Sequence, residues 1–300
     1  MSKYYKPSRQ TETIHYRSRL FLSRFHPARR SSTLAGDSQK PSSNRKKEFV
    51  PQSLRHPLGL PHPPSAGQNT GINSQTLRQR KHDFLSQDKH MERRALLVRK
   101  FSKPYFGDWT RMRYQKGKTF ISNSHLFKGD KALYFPNLKG RTLDLSKPLQ
   151  DTTPVLAGKI SVVSIFSSLW AERQAASFVG LQKNPALHQM IQESNLIAQR
   201  VEINSEDNWL KAFLVRCFMG SMRRNVPQEQ HKRYFLVTKG FTNYIRDQIG
   251  FTNGKVGYVY LLDDMCRIRW AGSSIATSSE IKSLNDGLRK LIEEKRPRAR

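Results

Sequence analysis

Acidic residues, cysteines and long apolar runs are all scarce in this chain, and each shortage excludes something. Only 23 Asp and Glu stand against 53 Lys and Arg, a formal net charge of +30. The chain therefore presents itself to anionic or apolar partners rather than to cationic ones. Two cysteines, Cys217 and Cys266, supply neither a disulfide framework nor a thiolate metal cluster. They read as reduced structural thiols. No apolar run approaches the roughly 18–20 residues needed to span a bilayer, so any membrane association is expected to be peripheral. A phosphate loop of the form GxxxxGK[ST] is missing: Lys116-Gly117-Lys118-Thr119 resembles its end, without the earlier glycine. No Ser-His-Asp/Glu grouping stands out. His125, His188 and His231 sit in unrelated polar contexts and are read as structural or solvated. His56 and His62 are spacers in a Pro-rich stretch. No catalytic residue, metal or cofactor is expected.

What is present is unevenly spread. Residues 1–152 carry 31 Lys/Arg against 10 Asp/Glu, whereas residues 153–295 carry 19 against 13. Apolar content is 36%, low enough that much of the chain is expected outside a core. Residues 1–36 hold eight Lys/Arg and one acid, Glu12, with Ser and Thr between. An Arg-rich, Ser-rich, acid-poor start reads as a mitochondrial transit peptide, or otherwise as a disordered basic tail. Residues 37–82 are rich in Pro, Ser, Asn, Gln and Gly, a linker composition. Residues 83–101 turn helical, with Phe84, Leu85, Met91, Leu96, Leu97, Val98 and Phe101 as an apolar stripe among Arg and Lys, until Ser102-Lys103-Pro104 stops it. Residues 104–149 are dense in aromatics set among basic residues. Tyr105, Phe106, Trp109, Tyr134, Phe135 and Asn137 are read there as a partner-binding platform, since aromatics and Arg dominate interface hot spots. Nearby Lys116, Lys118 and Lys128 are expected to face anionic lipid headgroups.

The second half carries the strong periodic signals. Residues 160–166, ISVVSIF, read as a buried strand. A helix follows with Ala171, Ala175, Phe178 and Val179 inward, then a segment opening at Pro185, a short strand over 199–203, and a helix over 209–222 with a wide apolar face. Residues 233–237 are a further strand or a helix start, and 239–250 hold a short helix. The stretch GKVGYVYLLDDMCRIRWAG, residues 254–272, reads as a hairpin. Its first strand, 256–262, is apolar on both faces. Asp263-Asp264-Met265 turns it. Cys266, Ile268 and Trp270 then alternate with Arg267 and Arg269, as in a strand with one solvated basic face. Thr277 or Ser278 caps a last helix, 280–294, with Ile281, Leu284, Leu288, Leu291 and Ile292 on its apolar face. Residues 296–300 form a basic tail.

Strand, helix, strand, helix, hairpin and helix is the order of a thioredoxin-like domain, here placed at residues 151–295. The expected class is α/β: a thioredoxin-like domain without the redox cysteines, preceded by a disordered basic N-terminal region. The two places of a Cys-x-x-Cys after the first core strand fall on Trp170 and Arg173, and Lys255 or Val256 stands where thioredoxins place proline before the hairpin strand. Without a thiolate, exchange there is not possible.

The phrases SKPYFGDW (102–109), KGKTFI (116–121), ALYFPNLKG (132–140), ISVVSIFSSLWAERQ and GYVYLLDDMCRIRWAG (257–272) resemble the ATP-ten assembly-factor family of fungal mitochondrial ATP synthase. The resemblance implies a non-enzymatic chaperone, peripheral to the matrix side of the inner membrane. It would bind newly made subunit 6 and help it join the proton-channel ring of the membrane sector. The alternative is a mitochondrial RNA- or ribosome-associated basic protein. Losing residues 1–36 would still leave about +23, so charge leaves RNA open, but RRM-type aromatic motifs and a KH-type GXXG are missing. No nucleic-acid partner is expected.

Overall fold

The computed structural model describes residues 51–71, 91, 94, 117–194 and 196–296. Its centre is a mixed seven-stranded sheet among those residues: β1 (Lys139–Thr142), β2 (Leu149–Asp151), β3 (Ile160–Phe166), β4 (Ala198–Ser205), β5 (Tyr234–Val237), β6 (Tyr258–Leu262) and β7 (Ile268–Ser273). The spatial order is β2-β1-β5-β4-β3-β6-β7. β3 runs parallel to β4 and antiparallel to β6, which pairs antiparallel with β7. A parallel β3–β4 pair joined by helices, followed by an antiparallel hairpin and a last helix, is the thioredoxin-like arrangement. The additional β5 lies parallel beside β4.

The helices are α1 (Thr153–Leu156), α2 (Leu169–Val179), α3 (Pro185–Glu193), α4 (Trp209–Asn225), α5 (Asn243–Gln248) and α6 (Ser278–Lys295). Period-2 alternation sorts the strand residues between two faces. Ile160, Val162, Val259, Leu261 and Trp270 pack with Phe178 of α2 and with Leu284 and Leu288 of α6. Phe178 and Trp270 meet edge-on at 5.8 Å. On the opposite face Val163, Ile165, Tyr258 and Tyr260 pack with Phe135, Leu138 and Ile245. Gly257 lets α2 approach the sheet: a Cβ there would lie 2.1 Å from the Ala171 carbonyl oxygen. Its own N–H donates to Gln174 Oε1 at 3.0 Å.

Three sequence expectations change here. Residues 51–71 were assigned to a linker, yet Leu54 and Leu58 pack against the core. Leu60 exchanges both backbone hydrogen bonds with Tyr134 at 2.8 Å, and Asn137 Nδ2 donates to the Gln68 carbonyl. The Pro-rich composition reflects extended backbone pinned at separate points. The boundary at 150/151 cuts through the β1–β2 hairpin, so residues 117–150 belong to the domain. The basic face of β7 is not solvated. Arg269 is buried and its Nε donates to the Phe127 carbonyl at 2.6 Å, while Arg267 reaches the Gly129 carbonyl at 2.9 Å. Both guanidiniums also meet the buried Asp263 carboxylate, at 2.8 and 3.2 Å. The alternation is real, but a neighbouring segment covers it, and both cations share the one Asp263 carboxylate.

Candidate functional site

Of the sequence-derived platform, Tyr105, Phe106 and Trp109 lie outside the described residues, as does Lys116 and, apart from Met91 and Arg94, the stripe over 83–101. The remaining three do not form a surface. Phe135 and Asn137 are fully buried. Phe135 stacks against Tyr260 at 5.8 Å. Asn137 is spent within the protein, its Oδ1 accepting from Thr153 N and Oγ1 at 3.1 and 2.8 Å. Tyr134, half-buried, bridges Leu60 and Arg267. A buried side chain offers a partner nothing to touch, so Phe135 and Asn137 are withdrawn as contact residues. Lys118 is not a lipid-facing cation either: its ammonium lies 2.6 Å from the buried Glu280 carboxylate. Lys128 is exposed.

The surface that stands out is α4. Asn208 caps it, its side chain accepting from Leu210 N and Lys211 N at 3.0 and 3.3 Å, and Arg223 and Arg224 close its last turn, favourable at a helix C-terminus. Arg223 Nε holds the Leu143 carbonyl at 2.8 Å. Only Ala212 and Met219 of the helix are buried. Met219 and the half-buried Val215 and Met222 sit over Phe166, Tyr234 and Leu236. Trp209, Leu210, Phe213, Leu214 and Phe218 are between 50% and 79% exposed. At 3.6 residues per turn these five spread over about half the circumference, opposite the buried stripe. An apolar face of this width and continuity on a water-facing helix marks an interaction site.

A groove of about 460 Å³ opens where α4 meets the β1–β2 hairpin, lined by Trp209, Phe213, Arg216, Leu149, Arg141 and Lys239 among others. The lining combines apolar Leu149, Trp209, Phe213 and Leu236 with Lys139, Arg141, Arg216 and Lys239, and also holds Glu206 and Asp207. Asp207 is paired with Arg246 at 2.7 Å. Beneath α4, burial pushes the Tyr234 phenol up to about 12 despite a hydrogen bond from Asn204. Desolvation by its surroundings, and then Glu202, raises the Glu172 carboxyl. No group of His, Cys, Asp and Glu among the described residues could hold a metal ion. The arrangement is suited to holding an apolar partner.

The two thiols sit in different environments, neither of them at the start of α2. Trp170 and Arg173, at the places of a redox pair, stand exposed in the first turns of α2. Cys266 is buried, and its thiol is pushed up to about 11 by burial, Asp263 and Asp264. Cys217 is exposed on the outer face of α4. In native protein a maleimide is therefore expected to label Cys217 promptly and Cys266 only on unfolding, read by mass spectrometry. Equal labelling of both thiols would overturn this placement.

The family model described as ATP10 protein matches residues 37–291. The mitochondrial ATPase complex subunit ATP10 of Eremothecium gossypii is 33% identical over 226 residues, covering 75% of this chain and 79% of its own. The protein of the same name from Saccharomyces cerevisiae is 30% identical over 249 residues, covering 79% of this chain and 86% of its own. Among solved structures, a putative thiol:disulfide interchange protein DsbE from Chlorobium tepidum is 10% identical. It covers 54% of this chain and 96% of its own, with a TM-score of 0.36.

Proposed function

The chain belongs to the ATP10 protein family, and from that premise we propose that it assists assembly of the mitochondrial ATPase complex without catalysing a reaction. Its client is newly made subunit 6 of the membrane sector, held until it joins the proton-channel ring. The protein works at the matrix side of the inner membrane as a peripheral factor. No helix among the described residues is long and apolar enough to cross a membrane. Residues 1–36 serve as the transit peptide, a reading supported by their Arg/Ser composition and by the family match beginning at residue 37.

The observation that carries the binding role is the groove between α4 and the β1–β2 hairpin. A membrane subunit awaiting assembly must shield apolar segments, and the groove supplies Leu149, Trp209, Phe213 and Leu236 together with basic side chains. Tyr105, Phe106 and Trp109 keep their proposed part as further contacts.

The test is affinity capture of tagged protein from mitochondria in which newly made membrane subunits are labelled. Subunit 6 is expected in the captured fraction. Leu149→Asp in the groove should lower its recovery by about 30-fold at an unchanged melting temperature, the effect of a hot-spot loss near 2 kcal/mol. A captured fraction without ATPase subunits would sink the proposal. Full recovery with Leu149→Asp would remove the groove from it.

A further inference from the structure

We infer that the outer face of α4 seats the protein on an anionic phospholipid surface. This deepens the peripheral-contact reading above by naming the element and the lipid chemistry, and it stands on the helix itself. Seventeen residues give a helix roughly 25 Å long, and the apolar residues run along it from Trp209 to Phe218. Ala212 and Met219 anchor the opposite side in the domain, so the helix can only lie flat, with its outer side facing whatever it meets.

The charges select the occupant. α4 contains Lys211, Arg216, Arg223 and Arg224 and no Asp or Glu. At 100° per residue Lys211 falls beside Phe218 at one margin of the apolar arc, and Arg216 beside Trp209 at the other. Both are exposed. An apolar arc bordered on both sides by long cationic side chains fits a bilayer interface: the rings and leucines enter the acyl boundary while the cations reach lipid phosphates. An aromatic such as Trp209, the most exposed of these side chains, also suits headgroup depth. A protein groove would need the apolar arc but not cations along both margins.

The experiment uses the full chain with phosphatidylcholine vesicles prepared with and without phosphatidylglycerol, scored by co-sedimentation. Because the rest of the chain is also basic, the decisive comparison is between variants. Phe213→Ser with Phe218→Ser, and separately Lys211→Gln with Arg216→Gln, should each weaken binding to the anionic vesicles. The loss in the second pair is about 30-fold, from about 1 kcal/mol per basic residue. High salt should reduce binding of the unaltered protein. A polarity-sensitive fluorophore on Cys217, which lies within the arc, should report transfer to an apolar medium on adding anionic vesicles, and it requires no folded variant.

A fluorophore that stays in water, or variants that bind as tightly as the unaltered chain, would overturn the inference. Variants that keep vesicle binding but lose subunit capture in detergent would make α4 a protein-docking face and overturn it as well. Failure of the assembly reading is distinguishable: detergent capture would then bring down no ATPase subunit, whatever the vesicles show.

Discussion

Replacing Phe135 by alanine is expected to lower the unfolding free energy by about 3–5 kcal/mol, a large part of the 5–15 kcal/mol typical of a folded domain. The ring is fully buried and packs against Tyr260. It shares a cluster with Val163, Ile165 and Tyr258 from the central strands. Its backbone N–H donates to the Cys266 carbonyl at 2.8 Å, so the main chain cannot easily move in to fill the void. The cost is then transfer of the ring plus a cavity that persists. Guanidinium unfolding followed by tryptophan fluorescence would measure it. Recovery of ATPase subunits should fall only in step with the folded fraction. A variant as stable as the parent that nevertheless loses its client would place Phe135 on a surface after all.

Glu280→Ala is the second large effect, expected at about 3–5 kcal/mol. The carboxylate is 2% exposed and lies 2.6 Å from Lys118 Nζ, itself 15% exposed. It also accepts from Ser122 N at 3.0 Å and from Thr277 N at 3.0 Å, while Thr277 caps the backbone of Glu280 in return. One side chain thus completes the capping box of α6 and ties residues 118–122 to it. Its removal leaves the Lys118 cation buried without its counter-charge. Lys118→Met added to Glu280→Ala should recover part of the loss, because the stranded cation goes as well.

The same carboxylate gives stability a pH dependence. Burial alone would raise its pKa, but Lys118 and the amides of Ser122 and Thr277 outweigh burial and hold it below the usual range. A depressed folded-state pKa means the unfolded chain takes up the proton first as pH falls. The contribution is therefore complete above the ordinary glutamate pKa and disappears as pH falls through the lower folded value. Wild type should lose stability there more steeply than Glu280→Gln. Parallel acid limbs for the two proteins would rule out this role.

Local pattern was enough for the longer elements of the domain, though not for β2 or α1. Residues 160–166 and 258–262 are apolar on both faces, and only a strand covered on both sides hides all of them. Pro185 and the Thr277–Glu280 pair mark helix starts through chemistry confined to one turn. The order of these elements sufficed for a thioredoxin-like core, and the missing cysteine pair after β3 needed no coordinates.

What local pattern could not supply was the identity of each face's neighbour. Asn137 and Arg269 are polar, and composition sends them outward. They are buried because Gln68 and Phe127, distant in sequence, and the nearer Thr153 and Asp263 satisfy them. The Pro-rich residues 51–71 have no periodicity to betray that Leu54 and Leu58 are docked. α4 shows the limit most plainly. A wide apolar face is legible from spacing alone, but spacing cannot say whether the face turns inward. The cluster beneath α4 takes in Met219 and the half-buried Val215 and Met222, and Ala212 is the one other buried residue of the helix. Trp209, Phe213 and Phe218 are therefore left outside, and that tertiary limit on space turns a helix that reads as core into the exposed surface of the molecule.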